Sequence, residues 1–446
     1  MRRLISTAII ILVVAVIFSG FTILFAGASS GYFVPSSISA GDTAWMLAAA
    51  ALVMIMTPAV GLFYGGGVRS KNVSTIINQS FIILALISVQ WVLFGYSLAF
   101  GNDIGGLIGG FNFVGLNGVG YAPNPAYAGT VPQLVYMIFQ AMFAIVTPAL
   151  IIGAFAERVK LKALVIFTLL WATFVYDPIA HWVWGAGGWA HQMGVLDFAG
   201  GTVVHVSAGF SALAAVLLIG RRFDVKPRQE TPASNIPLVL LGGALLWFGW
   251  FGFNAGSALG ASPLAASAFV ATNTAAASGG LTWFFLSWAE RKKPSSMSAA
   301  TGAVCGLVAV TPASGFVGPI SALAIGILAG LATYFALYWL HHHTKIDDTL
   351  GVWPAHGIGG FVGALLTGIF AEKVINASGN NGLLFGNPGQ LGIQLLVDVI
   401  AASYAFIVTY IIVWSINRTV GFRVTEEEEK EGLDLAESGE IGHVDG

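Results

Sequence analysis

Apolar residues run along this chain in long unbroken blocks, and polar residues gather in short stretches between them. The blocks are too long for half-buried strands, and they lack the polar stripe of a helix on a globular surface. Runs of about 20 apolar residues match the hydrocarbon thickness of a bilayer. Eleven such segments lie near 43–66, 73–99, 133–155, 163–184, 200–220, 236–256, 264–288, 298–312, 319–340, 352–371 and 391–416. The pattern predicts an all-α, polytopic membrane protein. A further apolar run, to about Phe25, follows Met1-Arg2-Arg3 and ends at Ala26-Gly27-Ala28. Basic start, apolar middle and small-x-small end describe a signal peptide over residues 1–28, cleaved after Ala28. The run is long for such a segment, so an uncleaved extra span is the alternative. Residues 29–417 then form the transmembrane domain and 418–446 a tail.

The stretches between the spans are unevenly charged. Arg69 and Lys71 follow the first span, and Arg158, Lys160 and Lys162 the third. Arg221, Arg222, Lys226 and Arg228 follow the fifth, Arg291 to Lys293 the seventh, Lys345 the ninth, and Arg418 with Arg423 the last. On the opposite loops only Lys373 is basic. Basic loops stay in the cytoplasm, so the mature N-terminus is expected outside the cell membrane and the tail inside. A mean hydropathy of +0.82 with 9% charged residues leaves too little charge for a soluble protein of 446 residues. The net charge of -2 gives no electrostatic reason to expect a nucleic-acid partner. One cysteine, Cys305, excludes an internal disulfide and a cysteine-based metal cluster.

Within these apolar runs two histidines share a setting. His205 is followed by Gly209-Phe210, and His356 by Gly360-Phe361. His205 falls about halfway along a bilayer-length helix through Leu196 to Leu213, where a histidine is costly unless it has a partner or a polar cavity. The common H-x-x-x-G-F spacing suggests two copies of one unit. Eleven spans divide as five, five and one, with the histidines on the fifth and tenth. An odd-numbered repeat places its copies in opposite orientations, so an inverted repeat with the histidines at its interface is expected. Val146-Thr147-Pro148-Ala149 and Val310-Thr311-Pro312-Ala313 are a weaker echo of it.

Other residues have plainer readings. Asp197 opens the His205 helix, where a carboxylate caps free N–H groups; it could also add negative field near a pore mouth. Asp177-Pro178 reads as the outer turn of the fourth span, with His181 and His191 at the surface. Phe139, Gln140, Phe143, Trp182, Trp184, Trp247, Trp250, Phe251 and Phe253, with Asn254 and Ser257, lie toward outer helix ends. They form either an interfacial belt or a cage for a small cation. The loop from Gly101 to Val131 reads as an irregular vestibule rim, and the acidic tail as solvated. The triplet His341 to His343 is only superficially a metal tract, because adjacent helical residues point apart.

At this point the chain resembles the Amt branch of the Amt/Mep/Rh ammonium transporters. The motifs are LDFAGGTVVH at Leu196–His205, WFGFNAGSA at Trp250–Ala258, GAFAERVK at Gly153–Lys160, FQAMFA at Phe139–Ala144, and GFRV with EEEEKEGLD in the tail. Together they cover nearly everything after Gly41. The resemblance implies eleven helices in an inverted repeat of five plus five, and a homotrimer with one pore per subunit. Trp184, Phe143 and Ser257 match the outer site that recruits ammonium, or methylammonium as its analogue. Phe143 and Phe253 match rings that close the pore below that site, and Trp250 matches its wall. His205 and His356 match paired imidazoles of the pore, and Asp197 an acid essential to the structure. A PII-type, GlnK-like signal protein is implied as partner on the cytoplasmic face, through the tail. No catalytic residue, metal or cofactor is implied.

The chain departs from the pattern twice. The link Gly185 to Trp189 looks long, and Trp353-Pro354-Ala355 precedes His356 where a glycine and an aliphatic residue are common. The physical logic agrees with the resemblance. Ammonium and potassium are close in size, but only ammonium can give up a proton. An apolar pore with neutral imidazoles penalises any bare ion and can still hydrogen-bond ammonia. The competing readings are a metalloenzyme using the histidines, an ammonium sensor, and a Rh-like gas channel. The first lacks an acid within a turn of either histidine, and Trp184 argues against the third.

Overall fold

The computed structural model describes residues 37–440 apart from 228 and 230, so the signal-peptide expectation for 1–28 lies outside it. Eleven long helical segments follow one another close to the bounds that the apolar pattern gives. They are α1 (Ala40–Gly67), α2 (Ser70–Phe100), α3 (Gln133–Ile151), α4 (161–184), α5 (Gly201–Ile219), α6 (Ile236–Gly256), α7 (Pro263–Arg291), α8 (Ser296–Val310), α9 (Pro319–His343), α10 (Trp353–Phe370) and α11 (Pro388–Thr419). Among the described residues nine helices are both long and apolar enough to cross a membrane. The two outside that number are α8, which has 15 residues, and α7. Ser267, Thr272, Asn273, Thr274 and Ser278 dilute the hydropathy of α7. α7 packs against α8 and α9.

α1 lies against α2 and α6, and α5 against α11 and the first turn of α10. Between α2 and α3 a two-stranded hairpin, β1 (Asp103–Ile104) and β2 (Ile108–Gly109), interrupts an otherwise irregular loop. Within the long helical segments four turns are wound with one residue too many, a π form that recurs at functional sites. They are Trp91–Gly95 in α2, Ala172–Tyr176 in α4, Gly201–Val206 at the start of α5 and Trp353–Ile358 at the start of α10.

The tail departs from the solvated end that its composition suggests. Thr425 caps a short helix, α12 (Glu426–Glu431), and Glu429 is buried against Arg423 at 2.7 Å and the Phe223 amide at 2.7 Å. Asp434 accepts from the amides of Ser74 (3.1 Å) and Thr75 (2.7 Å) at the start of α2. Glu437 accepts from the Leu161 amide at the start of α4, at 2.8 Å. Free N–H groups at helix starts attract carboxylates, so these acids have partners that composition does not reveal.

Candidate functional site

The site is built where α5 and α10 begin. Before α5 the chain turns through Gly200 at φ +119°, and the Asp197 carboxylate folds over the turn. Its Oδ1 accepts from the amides of Gly200 (2.8 Å) and Gly201 (2.6 Å), and its Oδ2 from Thr202 (2.9 Å) and Val203 (3.1 Å). This is the cap read from the sequence, with four amides held by one side chain. At the start of α10 a second acid, Asp348, accepts from the amides of Val352 (2.9 Å) and Trp353 (2.8 Å). The sequence reading missed Asp348, although the signal was there. Asp197 precedes His205 by eight residues, and Asp348 precedes His356 by eight. Pro354 is accommodated at this start, because the first turn of a helix needs no amide hydrogen there.

The repeated glycines explain the shared spacing. A Cβ on Gly209 would stand 2.0 Å from the Gly357 nitrogen, and one on Gly360 would stand 2.9 Å from both the Gly201 oxygen and the His205 Cβ. Only hydrogen fits at those crossings. α5 and α10 therefore touch backbone to backbone, which brings His205 Nδ1 to 3.2 Å from His356 Nδ1. Both rings are buried and face each other at 5.2 Å, and His205 Nε2 has no hydrogen-bond partner among the described residues.

An aromatic column leads to this pair. Trp184 meets Phe143 edge-on at 5.8 Å, and Phe143 meets Phe253 at 4.4 Å. Phe253 and Trp250 then stack on His205 at 6.1 and 5.4 Å. Trp184 is partly exposed at one end, and its Nε1 donates to the Asp197 carbonyl at 2.9 Å. The Ser257 hydroxyl donates to the Phe253 carbonyl at 2.8 Å, which leaves its oxygen free to accept a hydrogen bond. A cavity of about 20 Å³ lies beside the histidines, lined by Val60, Tyr64, Leu246, Trp250 and Phe253 among others. That is room for about one molecule of water's size.

Phe63 and Tyr64 line this cavity and also a much wider one, of about 630 Å³, at the end that carries the tail. The wide cavity reaches a network of charge. Arg222 holds Asp347 through two nitrogens at 2.9 and 3.0 Å and reaches Glu157 at 3.0 Å, and Arg69 also pairs with Glu157. Burial raises both carboxyls, but Arg158 and Arg222 hold Asp347, and Arg222 and Arg69 hold Glu157, below the usual carboxylate range. Burial pushes the Asp348 carboxyl up to about 6, against the pull of the Trp353 and Val352 amides and of Arg158.

One reading needs correction. Asp177 lies within α4 rather than in an outer turn, and His181 is not a surface residue: both are fully buried. Asp177 accepts from Gln90 at 2.8 Å, and His181 is covered by the β1–β2 hairpin. His191 is exposed, as expected.

The chain can now be set beside known proteins. The Ammonium Transporter Family model matches residues 44–443. The ammonium transporter of Bacillus subtilis is 46% identical over 407 residues, which is 91% of this chain and 99% of that protein. Ammonium transporter Amt1 of Archaeoglobus fulgidus is 47% identical over 407 residues, 91% of this chain and all of that one. The crystal structure of Saccharomyces cerevisiae Mep2 superposes with a TM-score of 0.83 at 35% identity, over 88% of this chain and 89% of that one. A structure titled sensor Amt protein gives 0.82 at 33%, over 89% and 98%. A family match of that length, joined to a multi-pass helical fold, leaves one conclusion: this chain belongs to the ammonium transporter family.

Proposed function

We propose that this membrane protein recruits ammonium at Trp184, Phe143 and Ser257, removes one proton, and conducts ammonia past Phe253, Trp250 and the paired histidines. The observation that carries the reading is the His205–His356 contact beside a cavity of molecular size. Two Nδ1 atoms at 3.2 Å share one hydrogen, so one ring donates and the other accepts. The donating ring then turns a bare Nε2 to the pore and the accepting ring an Nε2–H. The pair thus offers a passing ammonia one acceptor and one donor while remaining neutral. A bare cation in the same place would forgo tens of kcal/mol of hydration.

The same reading takes all eleven helices as spans arranged in an inverted five-plus-five repeat, with Asp197 and Asp348 as equivalent caps. It places Trp184 outside the cell and the tail in the cytoplasm, because the basic loops lie at the tail end. It takes the assembly as a homotrimer with one pore per subunit, and a PII-type partner as the ligand of the tail face. The test is charge at the pair. His205→Asp or His356→Asp supplies a fixed negative charge and admits water, so each variant should pass potassium while the parent does not. Solid-supported-membrane currents on proteoliposomes decide it. Ammonium current without potassium current in both variants means that the imidazoles are not the selectivity element.

A further inference from the structure

Three polar side chains interrupt the apolar run of α11, and the transport reading uses none of them. Gln390, Gln394 and Asp398 follow one another at intervals of four, so they stand on one face of the helix. All three are fully buried. Polar groups inside an apolar span are costly unless each finds a partner. Their partners lie in order along the chain that leads from α4 into α5. Gln390 Nε2 donates to the Gly194 carbonyl at 2.9 Å. Gln394 Oε1 accepts from the Leu196 amide at 2.8 Å, and its Nε2 donates to the Leu196 carbonyl at 2.8 Å. Asp398 Oδ1 accepts from the Thr202 hydroxyl at 2.6 Å.

Gln394 is the centre of this ladder. Leu196 is buried and belongs to no helix or strand, so both of its backbone groups need partners from elsewhere. One side chain supplies both, as a neighbouring strand would. An N–H only donates and a carbonyl only accepts, so the Gln394 amide is held in one orientation. Its Nε2 also reaches the Ala364 carbonyl in α10 at 3.3 Å, and Gln390 Nε2 reaches its Oε1 at 3.1 Å. A Cβ on Gly368 would stand 3.0 Å from Gln394 Cγ, so α10 runs close by at this level. Gln394 thus ties the entry of α5 to both α10 and α11.

The next residue carries the contact toward the aromatic column. The Leu196 carbonyl lies in the planar peptide that joins Leu196 to Asp197, so the bond from Gln394 fixes how Asp197 enters its turn. The Asp197 carbonyl in turn accepts from Trp184 Nε1 at 2.9 Å, the one hydrogen bond an indole can donate. We infer that Gln394, supported by Gln390, is a positioning residue for cation recruitment: it holds the Leu196–Asp197 peptide so that the Asp197 carbonyl sets the Trp184 ring. The inference rests on Trp184 as the recruiting ring. A cation is attracted only over the face of such a ring, so a rotated indole binds it less well.

The test reads half-saturating ammonium concentration and maximal current in proteoliposomes of the full chain. Gln394→Met keeps the length of the side chain and removes all of its hydrogen bonds. Half-saturation should rise several-fold, and maximal current of the assembled protein should change less. Trp184→Leu removes the ring itself and should weaken binding about thirtyfold. The double variant decides between positioning and plain support of the fold. With no ring left to set, Gln394→Met should add nothing in the Trp184→Leu background, whereas a residue that only supports the fold adds its effect in either background. Unchanged half-saturation in Gln394→Met, or the same added rise beside Trp184→Leu, overturns the inference. If Gln394→Met does not assemble, Gln390→Met leaves both Leu196 bonds in place and is read in the same cycle. Its rise should be smaller, and the same two outcomes overturn the inference. Unchanged affinity in Trp184→Leu removes the recruiting role itself, whereas weakened affinity there with an additive double variant removes only the positioning role.

Discussion

α5 and α10 begin alike and open onto different worlds. Each starts with an acid over free amides, then an over-wound turn with a histidine, then a glycine at the crossing. Ahead of α5 lies a seal: Trp184, Phe143 and Phe253 in ring contact, with Asp197 occupied by four amides. Ahead of α10 lies a cavity of about 630 Å³ and a web of arginines and carboxylates. On the proposed function, the aromatic end strips water from what enters and the wide polar end returns it. One local design thus sits in two opposite settings, and the surroundings rather than the histidines make the difference.

Three experiments would break or sharpen that contrast. The largest effect should follow from removing what the two halves share. With His205→Ala and His356→Ala together the cavity has no polar step, and ammonium current should vanish while gel filtration still reports an assembled protein. Retained current would show that the aromatic seal alone is sufficient. Next come the two caps. Asp197→Ala strands four amides in a buried turn and should cost about 3 kcal/mol or more, against about 1–2 kcal/mol for Asp348→Ala with two. Thermal unfolding of purified protein measures both, and equal losses would mean that the two starts bear the same load. The smallest effect concerns only the open end. Deletion from Thr425 removes the carboxylates over the starts of α2 and α4, each worth about 0.3–1 kcal/mol. Transport should fall a few-fold in the assembled protein and any control by a PII-type partner should be lost, with potassium still excluded. A full rate with control intact would make the tail a mere appendage.

Much of this was legible in the sequence. Bilayer-length apolar runs announce their own helices, because a helix satisfies its whole backbone within one continuous segment in lipid. His205 and His356 were legible because a polar residue in such a run needs a reason. Asp348 was not noticed because it lies just before the apolar run, where acids are ordinary. His181 looked like a surface residue because its cover, Asp103, comes 78 residues earlier in the chain. The tail acids looked solvated for the same reason: Asp434 meets Thr75 across 359 residues. Local pattern reports what a residue needs, and only the folded chain reports who supplies it.

The over-wound turns at Gly201–Val206 and Trp353–Ile358 make the pore's register a matter of counting. Each holds one residue more than an α-turn allows. The extra residue is taken up as a bulge, so deleting it would restore ordinary winding with the flanks in register but shift the histidine within the turn, whereas deleting a residue from the α-turns that follow would rotate one side by about 100° relative to the other. Either the imidazole would leave the pore line or the glycine crossing would lose its match.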